Sequence, residues 1–506
     1  MKICLLNDSF PPVIDGVANV VMNYARILTE EFGDEVVVAT PKYPEASYDG
    51  YPYKVVAYPS VDTTGFIKGY RTGNPLSIKG IAPLLDFEPD IIHTHCPAAS
   101  MVMARVLQKQ VKVPMVFTYH TKFDVDIAKA VGEGFIKNET VKAMIGNIDA
   151  ADDVWVVSEG AGENLASLGY QGDYRVVSNG VDFPRGRADQ ALVKEVTKDY
   201  DLPEGIPTFL FVGRIIIYKG IPLILEALNK LSQKGVEYRM IFVGKGPERE
   251  QFENQIKDWG IALESTGDDG TITRIPGKEG MSGKVIFTGP VYDRERLRAW
   301  NTRADLFIFP SVYDTNGIVV REAAACGLAS VLIKGSCAAE GITHGQNGYL
   351  MEESADSLTA LLENLSGELD KVHQVGENAL NEIYISWSDS VRDARIRYEE
   401  LINAQKSGKL QLKDEDILVE YVAKMINAGK SVYDKNNEFQ AGMLDNYYEF
   451  KGDIKELRNE MSDLKKEISE FKNDLKSEIK ENIEDTKNKL KESGQAFKEK
   501  IDELTK

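Results

Sequence analysis

Four side chains in the second half of the chain have the types and spacing needed to hold a phosphorylated ligand. Arg214 directly follows Gly213, and Lys219 comes five residues later ahead of another glycine, in the string GRIIIYKG. Further along, Asp314 and Glu322 stand eight positions apart in DLFIFPSVYDTNGIVVREAAACG. A guanidinium grips a diphosphate in a planar fork and an ammonium adds a mobile point charge, so together they offset the negative charge of a departing phosphate group. The two carboxylates can reach hydroxyl groups on either side of that phosphate. Taken singly, each string reads equally well as ordinary structure: a capping Asp with a surface Glu, or a surface Arg and Lys. Occurring in this order in one chain, they are hard to ascribe to chance.

These residues need elements to hold them. Leu306–Phe309 is an apolar run closed by Pro310, which reads as a buried strand. A polar turn covers residues 313–317, a short helix begins at Ile318, and Gly327 occupies the place of a left-handed terminator. Strand, turn and helix put the helix N-terminus at the carboxyl end of the strand, where an open α/β sheet binds phosphates. The strand TFLFV ends in the same way at Gly213.

The first half alternates short apolar, β-branched runs (residues 2–6, 36–39, 91–95, 115–119 and 154–157) with helix-like stretches such as 17–30 and 100–108. That alternation predicts βαβ units and a parallel sheet. The loop after the first run, NDSFPPVIDGV, carries Gly16 just ahead of a helix and reads equally as a tight turn or a ligand contact. His95 and His120 both follow strands. A lone histidine there is more often structural, but two of only five at one sheet edge point to function for at least one.

The alternation pauses in the charged, proline-bearing stretch 181–207 and then resumes with strands at 208–212, 238–243, 285–288 and 306–309 and a helix at 221–232. Residues 264–284, rich in Gly, Asp, Thr and Ser, predict a surface loop or small hairpin. Three units follow: residues 1–183 and 184–407, each a Rossmann-like domain facing a shared cleft, and an extension over 408–506. Trp387 and a helix over 388–405 are expected to close the second domain. In the extension, residues 414–428 form a short amphipathic pattern, and from Ile454 the apolar positions Leu457, Met461, Leu464, Ile468, Phe471 and Leu475 step by three and four. That is a heptad seam, which predicts a coiled coil and with it self-association or a partner helix, the alternative being a single solvated helix.

The formal net charge of −19 argues against nucleic acid as a partner and weakens attachment to anionic lipid. The four cysteines lack metal-ligand spacing and read as reduced thiols of a cytoplasmic protein. The start MKICLLN is a strand rather than a signal peptide, and no apolar run reaches the length of a membrane span. NDSFPPVIDG is not GxGxxG, which removes the usual dinucleotide fingerprint.

Across residues 1–405 the loop PPVIDGV, the turn SNGVD at 178–182, GRIIIYKG, VGKGP at 243–247 and the Asp314 to Glu322 unit together resemble the family 4 glycosyltransferases of the GT-B fold. Asp314 stands where the family has glutamate. The resemblance implies a UDP- or GDP-hexose donor, no metal or other cofactor, and transfer with retention of configuration. Carried over, Glu322 holds the ribose hydroxyls and Asp314 faces the hexose. Backbone N–H groups of Asn316 and Gly317 meet the sugar, and those of Ile318 and Val319 the distal phosphate. Arg214 and Lys219 receive the leaving diphosphate beside Gly213, Gly16 permits close approach of the first domain, and His120 sits over the sugar. The segment YHTKFDVDI at 119–127 is similar to that of relatives acting on diacylglycerol-type lipids, implying a lipid acceptor, with a glycan as the other candidate and residues 123–148 as a surface for peripheral membrane contact. A different reading is a non-catalytic scaffold that binds a nucleotide sugar and works through its coiled coil.

Overall fold

The computed structural model describes residues 1–13, 15–63, 70–123, 127, 135–413, 423, 426, 430 and 434. The heptad seam at 454–506 lies outside the described residues, as does most of the 414–428 pattern.

Two sheets carry the architecture. The strands of the first half are β1 (Lys2–Leu6), β2 (Glu35–Pro41), β3 (Lys54–Tyr58), the short hairpin β4 (Ser60–Asp62) and β5 (Arg71–Gly73), β6 (Ile91–Thr94), β7 (Met115–Tyr119), β8 (Asp153–Val156) and β9 (Arg175–Val176). Apart from the separate hairpin they form a parallel sheet in the order β3-β2-β1-β6-β7-β8-β9. The second half supplies β10 (Thr208–Val212), β11 (Arg239–Val243), β12 (Ala262–Thr266), β13 (Ile272–Ile275), β14 (Lys284–Gly289), β15 (Leu306–Phe309), β16 (Ser330–Ile333) and β17 (Tyr349–Met351), ordered β13-β12-β14-β11-β10-β15-β16-β17. Helices cover the faces, so central strands such as β7, β10, β11 and β15 are buried along their whole length. Their continuous apolar sequences follow from burial on both sides.

The stretch 264–284 is a hairpin, but not a detached one. Strand β12 pairs antiparallel with β13 and parallel with β14, which extends the main sheet. Strand β13 lies at the edge of the sheet, where Thr273 and Arg274 are exposed and Ile272 and Ile275 are half-buried.

Chain order reverses between β1 and β6 in the first sheet and between β10 and β15 near the centre of the second. A crevice opens beyond the carboxyl ends of strands at such a switch point. Both crevices border the same cleft.

After a parallel bridge between Val181 and Ser386, the helix Trp387–Lys406 returns to the first domain. Its residues Trp387, Val391, Ala394, Tyr398, Leu401 and Ile402 share a core with Ile3, Leu5, Val20 and Trp155. Arg397 and Arg395 fasten it through Asp153 at 2.8 Å and Asp34 at 2.7 Å. Farther on, Ile426 is buried in the core beside Val56 and Ile81, and Lys430 pairs with Asp86 at 2.7 Å. Of the described side chains in 123–148, Phe123, Ile127, Val141, Ile145 and Ile148 are buried in that core.

Candidate functional site

The strand-turn-helix unit at the second switch point builds one wall of the site. Strand β15 ends at Phe309, and Gly317 takes φ +58° as N-cap of the helix Ile318–Ala325. A Cβ on Gly317 would stand 2.9 Å from that of Ala338, so both the left-handed backbone and the close approach call for glycine. The unpaired N–H groups at the start of the helix then face the cleft. Asp314 in the turn is fixed from two sides: Lys219 Nζ donates to its Oδ1 at 2.5 Å, and Ser311 Oγ donates to its Oδ2.

A cavity of about 360 Å³ lies between the domains. Gly213, Lys219, Asp314, Asn316, Gly317, Ile318 and Val319 line it on one side and Gly16 and His120 on the other. Nine of the eleven residues singled out from the sequence therefore converge. The side-chain amide of Asn316 has no hydrogen-bond partner, leaving a donor and an acceptor free at this wall.

Two expected members lie elsewhere. Glu322 is 6% exposed on the helix behind the wall, where Arg294 Nη2 donates to its Oε1 at 2.5 Å. Burial raises its carboxyl above the ordinary range against the opposing pull of Arg294. Arg214 is exposed and its guanidinium donates to the Tyr218 hydroxyl, stacked on that ring at 5.6 Å.

On the facing wall, Asp15 caps the helix Gly16–Glu30 by accepting from Ala18 N at 2.7 Å, while its other oxygen accepts from the Tyr70 hydroxyl at 2.7 Å. Both residues line the cavity. His120 Nε2 and His95 Nδ1 are 2.9 Å apart in stacked rings, and His93 lies behind at 4.0 Å from His95 between centroids. Burial lowers the His120 pKa to about 4 and those of His93 and His95 well below the usual value, so the stack is neutral near pH 7. His93 is held by Thr118 and, from the returning helix, by Tyr398.

Sequence reasoning missed Asp15, Tyr70 and Arg294, and also Asn179 and Thr315, which line the cavity too. Asp15 and Asn179 sat inside strings already singled out, PPVIDGV and SNGVD. Arg294 is one of several arginines in DRERLR, and nothing local distinguishes the one that reaches Glu322.

Two Rossmann-like domains joined by a returning helix, with a helix N-terminus facing the cleft between them, define the GT-B class. The profile described as Glycosyltransferase Family 4 matches residues 14–185, and that described as Glycosyl transferases group 1 matches 206–367. The chain belongs to this glycosyltransferase family. It is 28% identical over 346 residues to a sulfoquinovosyl transferase of Arabidopsis thaliana, covering 66% of this chain and 60% of that protein. It is 25% identical to an alpha-monoglucosyldiacylglycerol synthase of Streptococcus pneumoniae, covering 65% and 70%. Among solved structures, Anabaena HepE in complex with UDP superposes with a TM-score of 0.60 at 17% identity over 79% of this chain and all of that one. The sucrose-phosphate synthase of Thermosynechococcus elongatus gives 0.59 at 17% identity over 80% and 99%. These two structures corroborate the fold.

Among the described residues, no helix is long and apolar enough to cross a membrane, and no group of three or more His, Cys, Asp or Glu side chains is placed to share a metal ion.

Proposed function

We propose that the chain transfers a hexose from UDP- or GDP-hexose to a lipid acceptor, with retention of anomeric configuration and without a metal. The observation that carries this reading is the interdomain cavity, where Lys219 and the N-terminus of the helix Ile318–Ala325 stand across from His120. In the ligand-free pair, Asp314 neutralises Lys219; a bound diphosphate competes for that ammonium, which then carries the charge growing on the leaving group. The N–H groups of Ile318 and Val319 hold the distal phosphate, and Asn316 and Gly317 meet the sugar. Glu322, behind the wall in the ligand-free protein, turns the oxygen not taken by Arg294 to the ribose when the donor enters. Arg214 swings off Tyr218 onto the diphosphate. The neutral imidazole of His120 lies over the reacting carbon and donates or accepts without adding charge.

The donor assignment draws support from the Anabaena protein, whose structures include complexes with UDP and with UDP-glucose. For the acceptor, the named relatives include a diacylglycerol glycolipid synthase and a phosphatidyl-myo-inositol mannosyltransferase of Mycolicibacterium smegmatis. Such an acceptor places the chain at a membrane face as a peripheral protein. The test is incubation with UDP- and GDP-hexoses and vesicles containing diacylglycerol or monoglucosyldiacylglycerol, followed by NMR of the product. A new glycolipid retaining the donor's anomeric configuration is expected. An inverted linkage refutes retention, and transfer only to soluble glycans refutes the lipid acceptor.

A further inference from the structure

The domains meet along a seam of hydrogen bonds. The turn residue Thr315 donates through Oγ1 to the carbonyl of His120 at 2.7 Å and accepts at its own carbonyl from Ser158 Oγ at 2.5 Å. Arg321, on the helix Ile318–Ala325, donates to the carbonyl of Asn179 at 3.1 Å and to Ser178 Oγ at 3.2 Å. A third contact joins one carboxylate to two backbone donors. Glu340 follows the one-turn helix Cys337–Ala339, and its carboxylate crosses to the first two backbone N–H groups of the helix Glu159–Ser167. Its Oε2 accepts from Glu159 N and its Oε1 from Gly160 N, each at 2.7 Å.

That helix already has its own cap, since Ser158 Oγ accepts from Ala161 N at 3.1 Å. The Glu159 and Gly160 donors would otherwise go to water, and a carboxylate at a helix N-terminus gains from both the bonds and the dipole. The approach is also shaped for contact: a Cβ on Gly160 would stand 2.6 Å from Cys337 Sγ and 3.3 Å from Glu340 Oε1. The segment bearing Glu340 packs in turn on the donor turn, Ala338 against Gly317.

We propose that Glu340 is a positioning residue that fastens the donor turn to the first domain and so sets the distance between residues 314–319 and His120. It touches no substrate and acts through Ala338, Gly317 and Thr315. A shift of about 1 Å in such an alignment can cost about a hundredfold in rate. The inference rests on the transferase reading for its consequence, but its geometry can be tested without turnover.

The experiment compares the wild-type full chain with Glu340→Ala, Glu340→Asp and Gly160→Ala. Hydrogen exchange is followed at residues 158–162 without ligand, and donor KM and kcat are measured with UDP- and GDP-hexoses and the vesicles above. In Glu340→Ala the 158–162 amides are expected to exchange about tenfold faster, in line with the loss of charge-assisted bonds. Its kcat is expected to fall tenfold or more, with donor KM within twofold and melting temperature nearly unchanged. Glu340→Asp should recover part of the loss, and Gly160→Ala should reproduce it by wedging the seam. Unchanged exchange overturns the seam, and faster exchange with unchanged kcat overturns the positioning role. If exchange responds while the wild type turns over no donor, the seam stands and the transferase reading fails.

Discussion

In the proposed transfer Lys219 is the side chain on which the chemistry most depends, and its surroundings define what losing it does. The ammonium touches Asp314 and lies 5.5 Å above the ring of Phe309, within reach of a phosphate in the cavity. Lys219→Ala should lower kcat by about a hundredfold or more, the scale for removing one stabiliser of developing charge. Stability should fall by only about 1 kcal/mol, because the pair is partly hydrated. Glu322→Ala should abolish donor turnover with the fold intact, since Arg294 stays over the Phe183 ring at 4.5 Å; near-wild-type activity removes its role. The imidazole of His120 makes a separate pH prediction. Its folded pKa of about 4 lies below the unfolded value near 6.5, so its contribution to stability is full above about pH 6.5 and is lost as pH falls toward 4. Selective histidine NMR should find it neutral at pH 5. His120→Asn should flatten the acid limb of a denaturation series by up to about 1.4 kcal/mol per pH unit in that window. Buried Asp8, raised to about 6, opposes this trend and is common to both proteins. These residue types were legible because arginine, lysine and paired carboxylates advertise their chemistry. The resting partner of each was not: Arg294 is 28 positions from Glu322, and Tyr218 takes up Arg214 through a side-chain rotamer.

At the scale of elements, the donor wall was readable because strand, turn and helix are adjacent in the chain. The run LFIF, Pro310 and the glycines at 317 and 327 fix β15, the turn and the helix by local rules, and Gly327 does take a left-handed φ of +68°. The facing wall comes from the loops after β1, β7 and β9 and from Tyr70, brought together only by strand order, and that order is not written in any one segment. The prediction at this scale concerns Gly317. Gly317→Ala combines about 1–2 kcal/mol of left-handed backbone strain with the Ala338 approach. It should lower the melting temperature and weaken donor binding together. An unaltered donor affinity in a folded Gly317→Ala protein would show that the helix N-terminus does not hold the phosphate.

For the whole molecule, the returning helix and the residues beyond it tie the second domain to the first. The alternation of strands and helices disclosed two parallel sheets, while the packing of Trp387 and Tyr398 against β1 and the long-range placement of Ile426 and Lys430 depend on tertiary contacts with no local pattern. Two truncations separate packing from association. Ending the chain at Asp434 keeps Ile426 and Lys430 and removes the heptad seam, so it should change elution volume with little change in melting temperature. Ending it at Lys413 uncovers the apolar site of Ile426 and should lower the melting temperature as well. An elution volume unaltered by either truncation excludes self-association through the tail. The scaffold reading draws no support from the family match, and the measurement that divides it from a transferase is a thermal-shift and donor-hydrolysis screen of the full chain against UDP- and GDP-hexoses. Stabilisation by one nucleotide sugar, with slow release of free hexose that is lost in Lys219→Ala, is the predicted result. Nucleotide-sugar binding without any hydrolysis or transfer, or no response to any donor, would contradict the account.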